Sequence, residues 1–238
     1  MIYELANIIK KNFSFLWDVI EYGNSLAFYV IYRKRLNKIG DAANKSIPSG
    51  LRMKVLQKTD IDSLYEFFDR QPKDSFRFFN PHGFDKRSLL KVVCNKSFLA
   101  FSLIDISTAD EPIVGYAFMR SFINGSAYRG YMVDYQYRGR GLAKKMGIGL
   151  NYIGDTLGLR MYKSISPENH ASMKVTQDVC DIEIVKKLDN GDYLLKCMSK
   201  KSETGNPIGE GGGKDLILSL LNKFYKARKP QIRYCYAA

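Results

Sequence analysis

Gln136-Tyr137-Arg138-Gly139-Arg140-Gly141-Leu142-Ala143 stands between a strand-like run, Tyr128 to Val133, and a helix-like run that begins at Leu142. Glycine enters left-handed backbone conformations at little steric cost, so the two glycines predict a tight turn into a helix start. The first N–H groups of a helix lack intrahelical acceptors. Together with the turn they aim several donors at one point, an arrangement that holds phosphate. A Rossmann fingerprint would place a third glycine three positions after Gly141, and Lys144 stands there instead. The following helix carries Leu142, Met146, Leu150, Ile153 and Leu157 along one side and leaves Lys144 and Lys145 to face water or ligand. Gly158 supplies its stop.

Upstream, Leu51 to Leu56 alternates like a strand, and Thr59 with Asp60 and Asp62 can cap a helix through Leu64, Phe67 and Phe68. An aromatic, Pro-bearing loop fills residues 71–84, and Ser88 to Cys94 reads as a second helix. Ser97 to Ile106 and Ile113 to Phe122 are strand-like, with Gly115 marking close packing or a bulge, and Asn124-Gly125 signals a hairpin. Downstream, Arg160 to Ser166 is a strand and Asn169 to Val179 a helix. Ile182 to Leu188 then pairs with Tyr193 to Met198 across Asp189-Asn190-Gly191. The pattern is mixed α/β (α+β) with antiparallel strands.

At the N-terminus, Leu5, Ile9, Phe13, Leu16, Ile20, Ala27 and Ile31 recur near helical spacing, with Gly23-Asn24 as a break between two helices or a tolerated pair within one. The segment ends in Arg33, Lys34, Arg35 and Lys38, and residues 41–50 have the composition of a linker. Residues 202–214, rich in glycine, read as a tether to a short basic helix from Asp215. Three units follow: 1–50 a helical extension and linker, 51–201 the main domain, 202–238 the tether and terminal helix.

Thirty-seven Lys plus Arg against 24 Asp plus Glu give a formal charge of +13, which favours anionic partners without choosing among them. Cys94, Cys180, Cys197 and Cys235 form no C-x-x-C pair and there are two histidines, so neither zinc nor a disulfide framework is expected; a reducing cytoplasm fits best. Glu4, Lys10, Lys11 and Asp18 interrupt the N-terminal apolar region, which argues against a secretory signal. No segment reaches the roughly 20 apolar residues that a membrane span needs.

The order strand, Gln136-x-x-Gly139-x-Gly141, long helix, strand, then Glu168-Asn169-His170-Ala171-Ser172 resembles the acetyl-CoA-dependent N-acetyltransferases of the GNAT superfamily over residues 51–200. The resemblance implies a mixed, mostly antiparallel central sheet flanked by helices, whose two middle strands splay apart around the pantetheine arm of CoA. It implies backbone donors at Met132 and Val133 for the thioester carbonyl. Gln136, Tyr137, Arg138, Gly139, Arg140, Gly141, Leu142 and Ala143 would face the diphosphate, and Asn169 and Ser172 the pantetheine. For Asn169 a plain N-cap is the competing assignment.

This sequence also departs from that pattern. The tyrosine that many relatives carry seven residues after the asparagine, as acid for the departing thiolate, is Thr176 here, and Cys180-Asp181 replaces a common Gly-Phe. A threonine hydroxyl is a poor proton donor. For the base that deprotonates an attacking amine, His82 has the right ordinary pKa, against a structural role in its aromatic loop. Asp134 and Glu168 are further candidates, against capping and solvated roles. Tyr116, Tyr128, Tyr131 and Tyr135 line either an acceptor site or, by their alternation, the sheet core.

Two function classes follow. One is transfer of acetyl from acetyl-CoA to a primary amine of a small molecule, such as an amino sugar or sugar nucleotide. The other is a silent binding module held by its basic extensions on an anionic membrane or nucleic acid. No nucleic-acid-binding signature accompanies the charge, so specific nucleic-acid recognition is not expected. Docking of the N-terminal helix on an anionic membrane surface or on a second copy of the chain is compatible with either class.

Overall fold

A computed structural model describes residues 14–200. The expected helix before residue 14, the glycine-rich tether and the helix from Asp215 lie outside the described residues. Seven strands, β1 (Leu51–Val55), β2 (Phe98–Asp105), β3 (Ile113–Ser121), β4 (Ser126–Val133), β5 (Arg160–Ile165), β6 (Cys180–Lys187) and β7 (Tyr193–Ser199), form one sheet in the order β1-β2-β3-β4-β5-β7-β6. Every neighbouring pair is antiparallel except β4 with β5. The helices are α1 (Ser14–Leu36), α2 (Ile39–Asn44), α3 (Ile61–Asp69), α4 (Lys86–Cys94), α5 (Leu142–Leu157) and α6 (His170–Val179).

Strand side chains alternate between faces, and β2 and β3 are apolar on both, so each face collects its own helices. Phe98, Ala100, Tyr116, Phe118 and Met132 pack with Leu64, Phe67 and Phe68 of α3 and Leu89 and Val92 of α4. Leu99, Phe101, Leu103, Ala117 and Met119 belong to the opposite cluster, with Phe28 and Tyr32 of α1, Ala42 and Ala43 of α2, and Met146, Leu150 and Ile153 of α5. A large apolar side chain removed from water in this way contributes about 1.5–3 kcal/mol. Gly115 meets both of its expectations. The β2 register shifts opposite it, between Leu103 and Ile104, and a Cβ there would come within 2.9 Å of Met146 Sδ.

In the N-terminal region one helix, not two, is present over Ser14–Leu36, and its buried face and the linker after it differ from expectation. α1 runs through Gly23-Asn24 without a break, because the Asn24 side chain is a tertiary anchor. Its amide donates to Ser97 Oγ at 2.9 Å and Ser121 O at 3.2 Å, and its oxygen accepts from Ile123 N at 3.2 Å. The buried face is Ser25, Phe28 and Tyr32, so the expected stripe is rotated and Ile20 stands 46% exposed. Four of the ten residues of the expected linker are also ordered helix. Ile39, Ala42 and Ala43 of α2 are buried, and Asn44 clamps β1 by accepting from Met53 N and donating to Met53 O, both at 2.8 Å. Before α3, a single 3-10 turn at Lys58–Asp60 replaces the expected Thr59 cap; the Asp60 carboxylate takes Gln57 N and Lys54 Nζ, both at 2.8 Å.

Candidate functional site

β4 and β5 share three residue pairs, Ser126–Arg160, Ala127–Met161 and Tyr128–Tyr162, and then part. Beyond them the rest of β4 has β3 on one edge only. Asp134 N donates to Val114 O at 2.9 Å, and the two-residue period of a strand puts the Met132 and Gly130 amides on that same edge. Tyr131 and Val133 therefore turn their N–H and C=O groups toward the opening, and Val133 O accepts from Arg138 Nε at 3.5 Å on that side. Of the two donors expected, Val133 faces the opening and Met132 does not. Its place is taken by Tyr131, since alternate residues share an edge.

The opening is a cleft of about 970 Å³, walled by residues 129–133 of β4, residues 163–166, the turn before α5, the start of α6 and Phe78 to Pro81 of the aromatic loop. That volume is at the upper end of small-ligand sites, room enough for a long cofactor arm and an acceptor together. Six cationic side chains line it, Arg77, Arg129, Arg138, Lys144, Lys163 and Lys174, against the three carboxylates Asp74, Asp178 and Asp192. A concave wall with this excess of cations favours an anionic ligand.

At one end of the cleft lies the glycine turn. Gly139 and Gly141 have φ of 78° and 72°, a left-handed conformation that Cβ-bearing residues resist, and α5 starts directly after. The amides of Lys144 and Lys145 both reach Gly141 O, whereas among the described residues no acceptor takes up the amides of Gly139, Arg140, Gly141, Leu142 or Ala143. Five successive unpartnered donors at a helix start form a concave anion site.

The turn is held from below. Asp134, 1% exposed, accepts from Gln136 N at 3.0 Å, Arg70 Nε at 2.7 Å and Gln71 Nε2 at 3.2 Å, while Gln71 Oε1 accepts from Tyr135 N at 3.0 Å. Arg70 also donates to Ile113 O. The C-terminal end of α3 is thereby fixed to the short 3-10 turn Tyr135–Tyr137 that leads into the glycines.

Tyr137, Arg138, Gly139, Gly141, Leu142, Ala143, Asn169 and Ser172 line the cleft with Met132 and Val133. Gln136 and Arg140 do not. The Gln136 side chain donates to Tyr135 Oη at 2.9 Å, and the Arg140 guanidinium folds back over the Tyr137 ring, 4.5 Å from its centre. Asn169 is the N-cap of α6, its oxygen accepting from Ser172 N at 3.0 Å, so the capping assignment holds and the residue still borders the cleft. Of the tyrosines, Tyr116 and Tyr128 are buried, Tyr131 lines the cleft, and Tyr135 is 41% exposed.

None of the three expected bases stands in the cleft wall. His82 is packed among Phe68, Phe84, Phe98 and Tyr116. Its Nδ1 lies 2.8 Å from Gly83 O, which can only accept, so Nδ1 carries the proton and Nε2 accepts from Tyr116 Oη at 2.7 Å. Burial pushes the ring down to about 4, partly offset by the Gly83 carbonyl. A base so weak, with its lone pair already used, is a structural residue of the loop. Asp134 is committed to the turn as described. Glu168 is exposed and pairs with Arg77 of the aromatic loop.

Two buried cations in the cleft wall went unrecognised in the sequence. Arg129 is engaged by Asn151 Oδ1, by Cys180 Sγ at 2.8 Å and by Gly147 O at 3.4 Å. Lys163 donates to Thr176 Oγ1 at 3.2 Å and lies 4.1 Å from the centre of the Tyr131 ring. The signal was present in Met161-Tyr162-Lys163-Ser164-Ile165, where period two places Lys163 on the same inward face as Met161 and Ile165.

No protein-family model matches the sequence, and no curated protein matches it significantly. Similarity appears in the fold. The PaiA N-acetyltransferase of Thermoplasma acidophilum, solved in complex with coenzyme A, superimposes with a TM-score of 0.50 at 13% identity, over 63% of this chain and 99% of that one. The GNAT domain of S. lividans PAT does so with a TM-score of 0.51 at 15% identity, over 61% of this chain and 89% of that one. In sheet order, in the parting of its two middle strands and in the glycine turn beside them, the chain has the GNAT fold.

Proposed function

We propose that the protein is an acetyl-CoA-dependent N-acetyltransferase that transfers acetyl directly to a primary amine of a small molecule. The observation that carries this is the run of unpartnered amides from Gly139 to Ala143 opening onto the unpaired edge of β4. The turn amides, with Arg138 and Lys144, hold the diphosphate by charge-assisted hydrogen bonds. The pantetheine arm runs back along β4 from there, meeting the Val133 amide first and placing the thioester carbonyl at the deeper Tyr131 amide. That amide is a fixed donor for the oxyanion that forms when the amine attacks. With His82 and Asp134 committed elsewhere, the proton of the amine leaves to water in the cleft.

The acceptor enters beside Phe78, Phe79 and Asn80, which offer flat apolar faces and an amide for orientation; a sugar ring bearing an amine suits such a wall. Calorimetry with CoA, followed by free-thiol release from acetyl-CoA over a panel of polyamines, amino sugars and aminoglycosides, tests the proposal. Gly139→Asp should weaken CoA binding by about 100-fold or more, since it puts a side chain and a negative charge at a left-handed position facing the diphosphate. Unchanged affinity would remove the diphosphate site. Tight CoA binding with no thiol release on any amine would favour a silent binding module instead.

A further inference from the structure

Lys163 is a buried cation, 6% exposed, in the wall of the cleft, and among the described residues no carboxylate pairs with it. Taking an ammonium out of water without a counter-ion is costly, and such a group is stable only when something supplies the missing charge. Arg129, the other buried cation, gives its two terminal nitrogens to Cys180, Asn151 and Gly147, and only its buried Nε is without a partner among the described residues. Of the cleft carboxylates, Asp178 faces Lys144 at 3.7 Å and Asp192 accepts from Ser164 Oγ at 2.8 Å. Cys197 approaches from β7, but its thiol is held above its ordinary value, first by its hydrogen bond to Cys180 and then by burial, so it stays neutral.

The orientation of Lys163 is fixed from two sides. Thr176 Oγ1 donates to Ser172 O at 2.7 Å, which leaves that oxygen to accept from Lys163, and the Tyr131 ring face takes the ammonium on the other flank. An ammonium carries three donors, so at least one remains for the cleft. Tyr131 is also the residue whose amide faces the deep end of the opening. The spare positive charge and the spare backbone donor are thus set at one place on β4.

We propose that Lys163 is a catalytic residue that takes the departing thiolate of CoA, an inference that rests on the acetyl-CoA assignment above. As the tetrahedral adduct collapses, the carbon–sulfur bond breaks and its electron pair goes to sulfur. Lys163 keeps its proton and holds that sulfur as a thiolate through a charge-assisted hydrogen bond, and the proton released by the attacking nitrogen leaves to water in the cleft. Thr176 is a positioning residue that acts through Lys163.

The test follows the thiol of bound CoA, by the ultraviolet absorbance of its thiolate across a pH titration, with CoA affinity measured separately by calorimetry. In the wild-type complex the thiol should ionise about one to two pH units below free CoA, the effect of a cation within a few ångströms. Lys163→Met should return it to the free value, and Lys163→Arg should keep it low. A wild-type complex that ionises like free CoA overturns the proposal without any variant, as does an identical titration in Lys163→Met; in both cases retained binding leaves the acetyl-CoA assignment standing. Failure of the wild type to bind CoA sinks both, and calorimetry reads that outcome directly.

Discussion

Asp134 and the edge of β4 lie one residue apart in the chain and illustrate opposite conditions. Asp134 is buried and saturated, with Arg70, Gln71 and the Gln136 amide all directed at its carboxylate. Val133, Tyr131 and the amides from Gly139 to Ala143 are left without acceptors on the cleft side. Folding satisfies buried polar groups wherever it can, so a saturated carboxylate is scaffold and a concentrated set of unsatisfied donors points to a ligand. His82 falls on the saturated side of this division, and Lys163 on the open side.

The largest expected effect comes from breaking the saturated node. Asp134→Ala leaves Arg70, Gln71 and a backbone amide without their acceptor, and should cost about 2–4 kcal/mol in urea unfolding, a discount on a fully buried pair because Arg70 reaches solvent. Unchanged stability together with lost turnover would instead make Asp134 part of the chemistry. Asn169→Ala is smaller. Loss of the cap on α6 should cost about 1 kcal/mol, with Asn169→Asp restoring most of it; equal losses in both variants would mean that the amide, facing the cleft, matters more than the cap.

The smallest expected effect on turnover concerns His82. Because burial lowers its pKa from 6.5 to about 4, the unfolded chain takes up the proton first as pH falls. The stability contribution is therefore complete above about pH 6.5 and is lost between there and about pH 4. His82→Gln should flatten the acid limb of the stability profile over that window while leaving turnover within about threefold. A collapse of turnover at constant CoA affinity would return His82 to the active site.

The same division explains what could be seen in advance. The glycine turn, the helix behind it and most strands follow from local chemistry, namely positive-φ positions and hydrophobic period, and Gly139, Gly141 and Gly158 adopt the conformations their placement implies. The parting of β4 from β5 came from resemblance, since no residue in either strand announces where pairing stops. What failed or stayed open were positions whose role depends on distant partners. Whether Gly23-Asn24 divides the helix stayed open because the partners of Asn24, Ser97 and Ser121, are more than 70 residues away. Residues 41–50 looked like a linker because their small residues pack on α5 and β1, which composition does not reveal. His82 had the right titration range in isolation, and four aromatic neighbours removed it.

Because three residue pairs are all that join β4 to β5, the sheet is in effect two half-sheets, β1 to β4 and β5-β7-β6, meeting at a short seam that α5 spans. An extended ligand that hydrogen-bonds along β4 would stand in for the missing rungs of the ladder. Occupancy would then weld the halves into a single cooperative unit, and the added protection against amide exchange would appear along residues 162–166 as much as along the strand that makes the bonds.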